Sequence, residues 1–302
     1  MGRIRFIVSL PLIAMLCACH AVVLDPSGDV AQQQRDLLIY STVLMLFVIV
    51  PVMVMTVLFA WRYRQSNRSA PYEPDWDHSI HLELFIWAAP LLIVVALGGL
   101  TWVGTHLLDP YRALGRIKAG ASIETAAAPL EVQVVSLDWK WLFFYPQYGI
   151  ATINELAAPV DRPIDFKITS SSVMNSLFIP TLAGQIYAMP GMETRLHAVA
   201  NAAGDFQGFS ANYSGAGFSG MHFVFRALTD RDFERWIARM REGGGALQRV
   251  DYLRLQQPSE NAPVQGFASV DPTLYHAILN RCVEPGQMCI NEMMAMGAAA
   301  DR

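Results

Sequence analysis

The side chains best suited to metal or redox chemistry in this 302-residue chain are its thiols, thioethers and imidazoles, and of these the thiols and imidazoles are few. Its four cysteines fall as Cys17 and Cys19 near the start and Cys282 and Cys289 near the end, too few for a disulfide scaffold. Cys282 and Cys289 bracket Val283-Glu284-Pro285-Gly286-Gln287-Met288. Outside the cytoplasm, a short disulfide loop and two free thiols are both open readings. His78 and His81 stand three apart, which on a helix places both on one face. A polar pair at the water boundary ahead of a span is the commoner use of that spacing. His197 and His222 have no cysteine or second histidine at ligand spacing, so ordinary satisfied histidines are expected there. Met288, Met293, Met294 and Met296 are soft donors that suit Cu(I), but a loose C-terminal tail is the simpler expectation.

Composition says what must carry these groups. Hydrophobic residues make up 53% and charged ones only 16%, against roughly a quarter charged in soluble domains. Some apolar surface is therefore expected to face lipid, and chain-wide disorder is excluded. A net charge of -4 argues against nucleic acid, which needs a basic footprint.

Arg3 and Arg5 precede an apolar run from Phe6 to Leu16, as in an export signal too short to span. The Leu16-Cys17-Ala18-Cys19 end resembles a bacterial lipobox, which implies cleavage before Cys19 and a diacylglycerol thioether on its sulfur. Residues 1–18 are then a lipoprotein-type signal peptide and 19–36 an exported N-terminal segment. Leu37 to Ala60 and Leu84 to Leu108 lack acidic and basic residues apart from His106. Each runs to about 24 residues, roughly 36 Å as helix against about 30 Å of hydrocarbon. Transmembrane helices are expected over 37–61 and 81–108, with Trp61, Tyr63, Trp102 and Tyr111 as interface aromatics. Arginines flank both ends, so charge does not orient the hairpin. The export signal does: it puts the 62–80 loop in the cytoplasm and everything beyond about residue 109 outside.

Residues 109–129 read as a linker. From Leu130 the period changes to two, as in Ile164-Asp165-Phe166-Lys167-Ile168 and Met221-His222-Phe223-Val224-Phe225, with Gly, Pro and Asn turns at short intervals. That pattern predicts an all-β sandwich or barrel over 130–229. Thr229-Asp230 then opens a helix whose Phe233, Trp236, Ile237 and Met240 share one face. Residues 230–302 read as a C-terminal helical segment and loose tail.

At this point the chain resembles subunit II of haem-copper terminal oxidases. The resemblance rests on Val173-Met174-Asn175-Ser176-Leu177-Phe178-Ile179-Pro180, Asp138-Trp139-Lys140-Trp141, Tyr213-Ser214-Gly215-Ala216-Gly217-Phe218-Ser219-Gly220-Met221 and Gly191-Met192-Glu193-Thr194-Arg195. His81-Leu82-Glu83 running into Trp87 and Pro90 extends it to the membrane part. It implies a two-helix transmembrane hairpin followed by a cupredoxin-like sandwich with C-terminal helices.

Copper-bearing members hold a binuclear centre with two thiolates, two imidazoles, a thioether and a carbonyl, the soft donors copper selects. Here the histidine positions are Asn175 and Phe218, the cysteine positions Ser210 and Ser214, and Asn212 replaces the carbonyl-donating glutamate. Only Met221 is kept, and one thioether cannot hold a metal pair. The chain thus resembles the quinol-oxidising branch, in which electrons arrive through the membrane on ubiquinol and no copper relay is needed. A copper-bearing subunit II of a cytochrome c oxidase and a free-standing, membrane-tethered cupredoxin-like module are the rival readings.

That branch implies a proton-translocating oxidase of the aerobic respiratory chain that oxidises ubiquinol and reduces dioxygen to water. The chain would bind no cofactor itself; two haems and one copper would belong to the catalytic subunit I. Partners would be that subunit, further small membrane subunits and the lipid bilayer, at a bacterial inner membrane with the large C-terminal domain in the periplasm. Trp139 and Trp141 are expected as interface aromatics. Glu83 matches an acidic position where protons enter, although a glutamate in a first turn capped by Ser79 also suits the helix dipole.

Overall fold

The computed structural model describes residues 21–71, 73–123 and 127–300. It divides into a helical unit, Gln33–Arg112, and a second unit comprising Ala113–Arg302 and the residues up to Gln32.

In the helical unit, α1 (Asp29–Arg62) and α2 (Ile80–Leu107) are long because no charge interrupts their apolar runs. Pro51 and Pro90 lie inside them. A spanning helix must satisfy its own backbone, and the hydroxyls follow suit: Ser41, Thr56 and Thr105 donate to carbonyls one turn back. Side chains are exposed all round both apolar windows, so both helices are built to be covered by lipid or protein. They touch at Gly104, where a Cβ would come within 3.1 Å of Leu37, as small residues permit in membrane pairs. At 34 residues, α1 outruns the expected span, and its first residues belong to the other unit.

The second unit opens with a two-stranded ribbon, β1 (Arg116–Lys118) and β2 (Ala121–Ser122), inside the segment read as a linker. Two sheets follow. The strands are β3 (Leu130–Leu137), β4 (Lys140–Tyr145), β5 (Ile150–Ile153), β6 (Glu155–Pro159), β7 (Ile164–Ser170), β8 (Asn175–Phe178), β9 (Ile186–Ala188), β10 (Thr194–Ala198), β11 (Gly204–Ser210) and β12 (His222–Leu228). After α3 (Asp230–Gly243) come β13 (Gly245–Leu247), α4 (Arg249–Leu255), β14 (Gln265–Val270), α5 (Leu274–Leu279) and α6 (Ile290–Ala300). One sheet runs β10-β7-β3-β4-β5-β14-β13, the other β6-β12-β11-β8-β9.

Strand β4 shows how the layers form. Trp141, Phe143 and Tyr145 point to one face, where Trp141 and Phe143 meet Phe223 and Tyr145 meets Trp236 edge-on. Leu142 and Phe144 point to the other, into a second core with Leu137, Tyr252, Phe267, Tyr275 and Cys282. Both faces are buried, so the strand reads as a continuous apolar run. The expectation that Trp141 faces a partner is therefore corrected: it is fully buried inside the sandwich.

The C-terminal region is more ordered than a helical segment and loose tail. Strands β13 and β14 extend the larger sheet, because Phe267 and Leu247 close the core on its outer face. Cys282 and Cys289 are disulfide-bonded, which settles the choice the sequence left open, and α6 starts directly after them. Helix α3 begins as expected, with Thr229 Oγ1 accepting from the Asp232 amide at 3.2 Å and Phe233, Trp236 and Ile237 buried.

Candidate functional site

Of the six positions that match the copper loop by resemblance, four are joined by hydrogen bonds: Asn175, Ser210, Asn212 and Met221. Asn175 opens β8, Ser210 closes β11, and Ala216–Gly220 forms a single tight helical turn leading to Met221. The buried Ser210 hydroxyl donates to Asn175 Oδ1 at 2.8 Å, with the Asn212 carbonyl a second acceptor at 3.2 Å. The Asn212 carboxamide donates to the Met174 carbonyl at 3.2 Å. Phe218 meets Tyr213 edge-on at 5.6 Å. Met221 is buried, and its carbonyl accepts from the Ser210 amide at 3.2 Å.

Trp139 lies against this loop. Its indole N–H donates to the Ser214 carbonyl at 2.9 Å. A Cβ on Gly217 would fall 2.5 Å from the indole and one on Gly215 3.1 Å from it, so two glycines let the backbone lie on the ring. One face of the Trp139 ring is thus covered by the chain's own loop. The glycines after Ser214 are the sequence signal for this contact. Lys140 sends its ammonium to the Gln257 carbonyl at 2.8 Å and to the Ser259 hydroxyl, on the second-core side of β4. Burial lowers its pKa, against the opposing charge of Asp138.

The donor set does not fit a copper pair. Carboxamide, hydroxyl and phenyl groups stand where thiolates and imidazoles are required, and two of them are already hydrogen-bonded to each other. No group of three His, Cys, Asp or Glu side chains suited to a metal occurs among the described residues. His197 sits across the strand pair from Asp165 at 3.6 Å, and His222 Nε2 lies 2.7 Å from the Ser219 carbonyl.

Glu83 occupies the first turn of α2, its amide donating to the Ser79 carbonyl at 2.9 Å. Ser79 is extended, as a capping residue should be, but its side chain makes no capping bond. The Glu83 carboxylate instead meets His78 Nδ1 at 2.9 Å, both side chains being more than half exposed. His78 and His81 do not share a helix face, because α2 starts at Ile80 and leaves His78 outside it. Cys19 lies outside the described residues.

Residues 146–228 match the family model described as cytochrome C oxidase subunit II, periplasmic domain, and residues 241–286 match the COX aromatic rich motif. The latter spans β13 to α5 and so contributes Tyr252, Phe267 and Tyr275 to the second core. The chain is 46% identical to cytochrome bo(3) ubiquinol oxidase subunit 2 of Pseudomonas putida, covering 90% of this chain and 84% of that one. It is 48% identical to the protein of the same name from Pseudomonas aeruginosa, covering 88% and 78% respectively. Against ubiquinol oxidase subunit 2 of Acetobacter aceti the identity is 47%, over 92% of this chain and 88% of the relative. With relatives this similar over nearly the whole chain, and a sandwich whose metal loop is closed by hydrogen bonds, the chain belongs to the family of ubiquinol oxidase subunit 2.

Proposed function

We propose that the chain is the second, non-catalytic subunit of a proton-translocating oxidase that oxidises ubiquinol and reduces dioxygen to water. The Ser210–Asn175 hydrogen bond carries this reading, because it occupies the place of a thiolate and an imidazole. Electrons entering on quinol within the membrane need no relay through this sandwich. Two haems and one copper would sit in the catalytic subunit I, and this chain would help assemble that subunit together with further small membrane subunits.

The β unit would lie in the periplasm, the 62–80 loop in the cytoplasm, and the hairpin in the bacterial inner membrane. Two observations support this. The disulfide Cys282–Cys289 belongs to an oxidising compartment. The hairpin also leaves one unit and returns to it, so both of its flanks lie on one side. Cys19 would then carry lipid on that same side, and Glu83 would stand at the cytoplasmic start of α2 as a proton-entry group.

The test is a mild-detergent pull-down of the full chain, followed by a haem spectrum, metal analysis and a quinol oxidase assay. Co-purified haem with ubiquinol-dependent oxygen uptake is expected. Oxidation of reduced cytochrome c with two coppers per chain, or purification without any haem protein, would overturn the reading.

A further inference from the structure

The stretch just ahead of α1 reads as a plain tether, yet it is sealed into the β unit. Ser27, Asp29, Val30 and Ala31 are buried. The amides of Ser27 and Gly28 donate to the Thr181 carbonyl at 2.8 and 3.0 Å, and that of Ala31 to the Leu182 carbonyl at 3.3 Å. In return the Asn201 amide donates to the Ser27 carbonyl at 2.6 Å, and Gly28 is bridged antiparallel to Ala200. The backbones approach so closely that a Cβ on Gly28 would stand 2.5 Å from the Val199 carbonyl oxygen and 2.8 Å from that of Leu182. Only glycine fits there.

Side chains from the far flank of the hairpin close the same corner. Arg116 Nε donates to the Asp29 carboxylate at 2.9 Å, and Asp29 is only 1% exposed. The Asn201 carboxamide donates to the Ile117 carbonyl at 3.1 Å and to Asp161 at 2.8 Å, and Lys118 donates to the other oxygen of Asp161 at 2.8 Å. Main-chain bonds supply the grip, and a site that admits no side chain at its centre supplies the selectivity, as in strand-addition recognition.

We propose that the groove between residues 181–183 and 199–201 is a binding site whose ligand is the chain's own segment 27–31. The spans lie between this segment and the groove in sequence. The groove therefore fills only when both flanks of the hairpin have reached one side of the membrane. An even number of inserted spans completes the β unit, and an odd number leaves the groove empty. This device is independent of the quinol reading, because it depends only on the number of spans between the two partners.

Hydrogen exchange on the full-length protein in its purified complex tests it. In the wild type, the amides of Ser27, Gly28 and Asn201 should exchange at least about a hundredfold more slowly than exposed amides. Gly28→Val should abolish that protection while central-strand amides such as Val134 keep theirs. Gly115→Val, at a glycine whose Cβ would meet nothing, should change none of them. A synthetic peptide of residues 21–32 should restore protection of Asn201 in Gly28→Val, and the same peptide carrying valine at 28 should not. Deleting residues 37–60, which sends the flanks to opposite sides, should also deprotect Asn201, again with rescue by the peptide. Free exchange of Ser27 and Gly28 in the wild type, unchanged protection in Gly28→Val or in the deletion, or failure of the peptide would each overturn the proposal. If Gly28→Val also loses Val134, Arg116→Gln decides. Faster exchange at Ser27 and Asn201 alone supports the groove, and no change refutes it.

Discussion

Ser210 Oγ donates to Asn175 Oδ1 at 2.8 Å, both residues buried, at two positions that by resemblance stand for a thiolate and an imidazole of the copper-bearing subunits. The bond ties the end of β11 to the start of β8. Ser210→Ala should therefore destabilise the β unit by about 1–3 kcal/mol, the cost of leaving a buried acceptor without its donor. Ser210→Ala with Asn175→Leu should recover part of that loss, since an apolar pair has no orphaned group. Thermal unfolding of the two variants checks the order.

The same positions predict the metal content. The purified protein should contain no copper attributable to this chain. Replacing Asn175→His, Ser210→Cys, Asn212→Glu, Ser214→Cys and Phe218→His together should create a coloured binuclear centre, because Met221 and the helical turn Ala216–Gly220 are still in place. A colourless, copper-free variant would mean that the loop has drifted from ligand geometry.

The spans are legible in the sequence because their apolar runs are uninterrupted, and residues 210–221 because they form one contiguous stretch that carries the resemblance. What stayed hidden depends on long-range contacts. Nothing in Ser27-Gly28-Asp29 announces that it packs on Thr181 and Asn201, more than a hundred and fifty residues away. The burial of Trp141 is not legible in sequence, because a strand buried on both faces has no alternation to show which side is outward. Strand β13 follows Gly243 and Gly244 and β14 contains Gly266; β14 becomes a strand by pairing with β5, and β13 by pairing with β14, not by propensity. The spacing of His78 and His81 would give one face only on a continuous helix, and the helix starts two residues after His78.

The disulfide Cys282–Cys289 closes a short loop at the edge of the second core, where Cys282 packs with Tyr275 and Ile278. Loop-closure entropy for so short a ring gives about 2.5 kcal/mol. Cys282→Ser with Cys289→Ser, or reduction of the wild type, should lower the melting temperature of the β unit and speed proteolysis at α6. Equal melting temperatures with and without reductant would show that the core holds the loop unaided.

Acid should loosen the corner around Asp161. Burial alone would raise its pKa, but hydrogen bonds from Lys118 and Asn201 and the Lys118 charge leave the net value lowered. A folded-state pKa below the unfolded one contributes stability above the ordinary carboxylate range, and that stability is lost as pH falls through the folded value. Asp161→Asn should therefore flatten the fall in melting temperature below about pH 4. Lys118→Met should move that fall to higher pH.

Cys19 is expected to become the acylated N-terminus, seen by intact mass as loss of residues 1–18 and gain of acyl chains. Two helices long and apolar enough to span suffice as an anchor, so one lipid would add little to retention. Cys19→Ser should stay in the membrane fraction, and its release on washing would contradict a two-span topology.

Glu83 separates a proton-entry role from a helix-start role. Its carboxylate is exposed, contacts His78 at 2.9 Å and sits in the first turn of α2, where a negative charge suits the helix dipole. The Ser79 side chain makes no capping bond, so the dipole and His78 are what the carboxylate has to satisfy there. If that is its whole role, Glu83→Gln costs about 0.3–1 kcal/mol of stability and leaves turnover per assembled complex unchanged. A proton-collecting carboxylate behaves differently. Glu83→Gln and Glu83→Ala then assemble with wild-type haem spectra but turn over more slowly, and an acid placed one turn away, Trp87→Glu, restores part of the rate. His78→Gln sharpens the comparison, because it removes the ion-pair partner and leaves the carboxylate. Slower turnover in Glu83→Gln with near-normal turnover in His78→Gln assigns the proton-entry role to the carboxylate itself, whereas equal turnover in all variants leaves Glu83 as a helix-start residue.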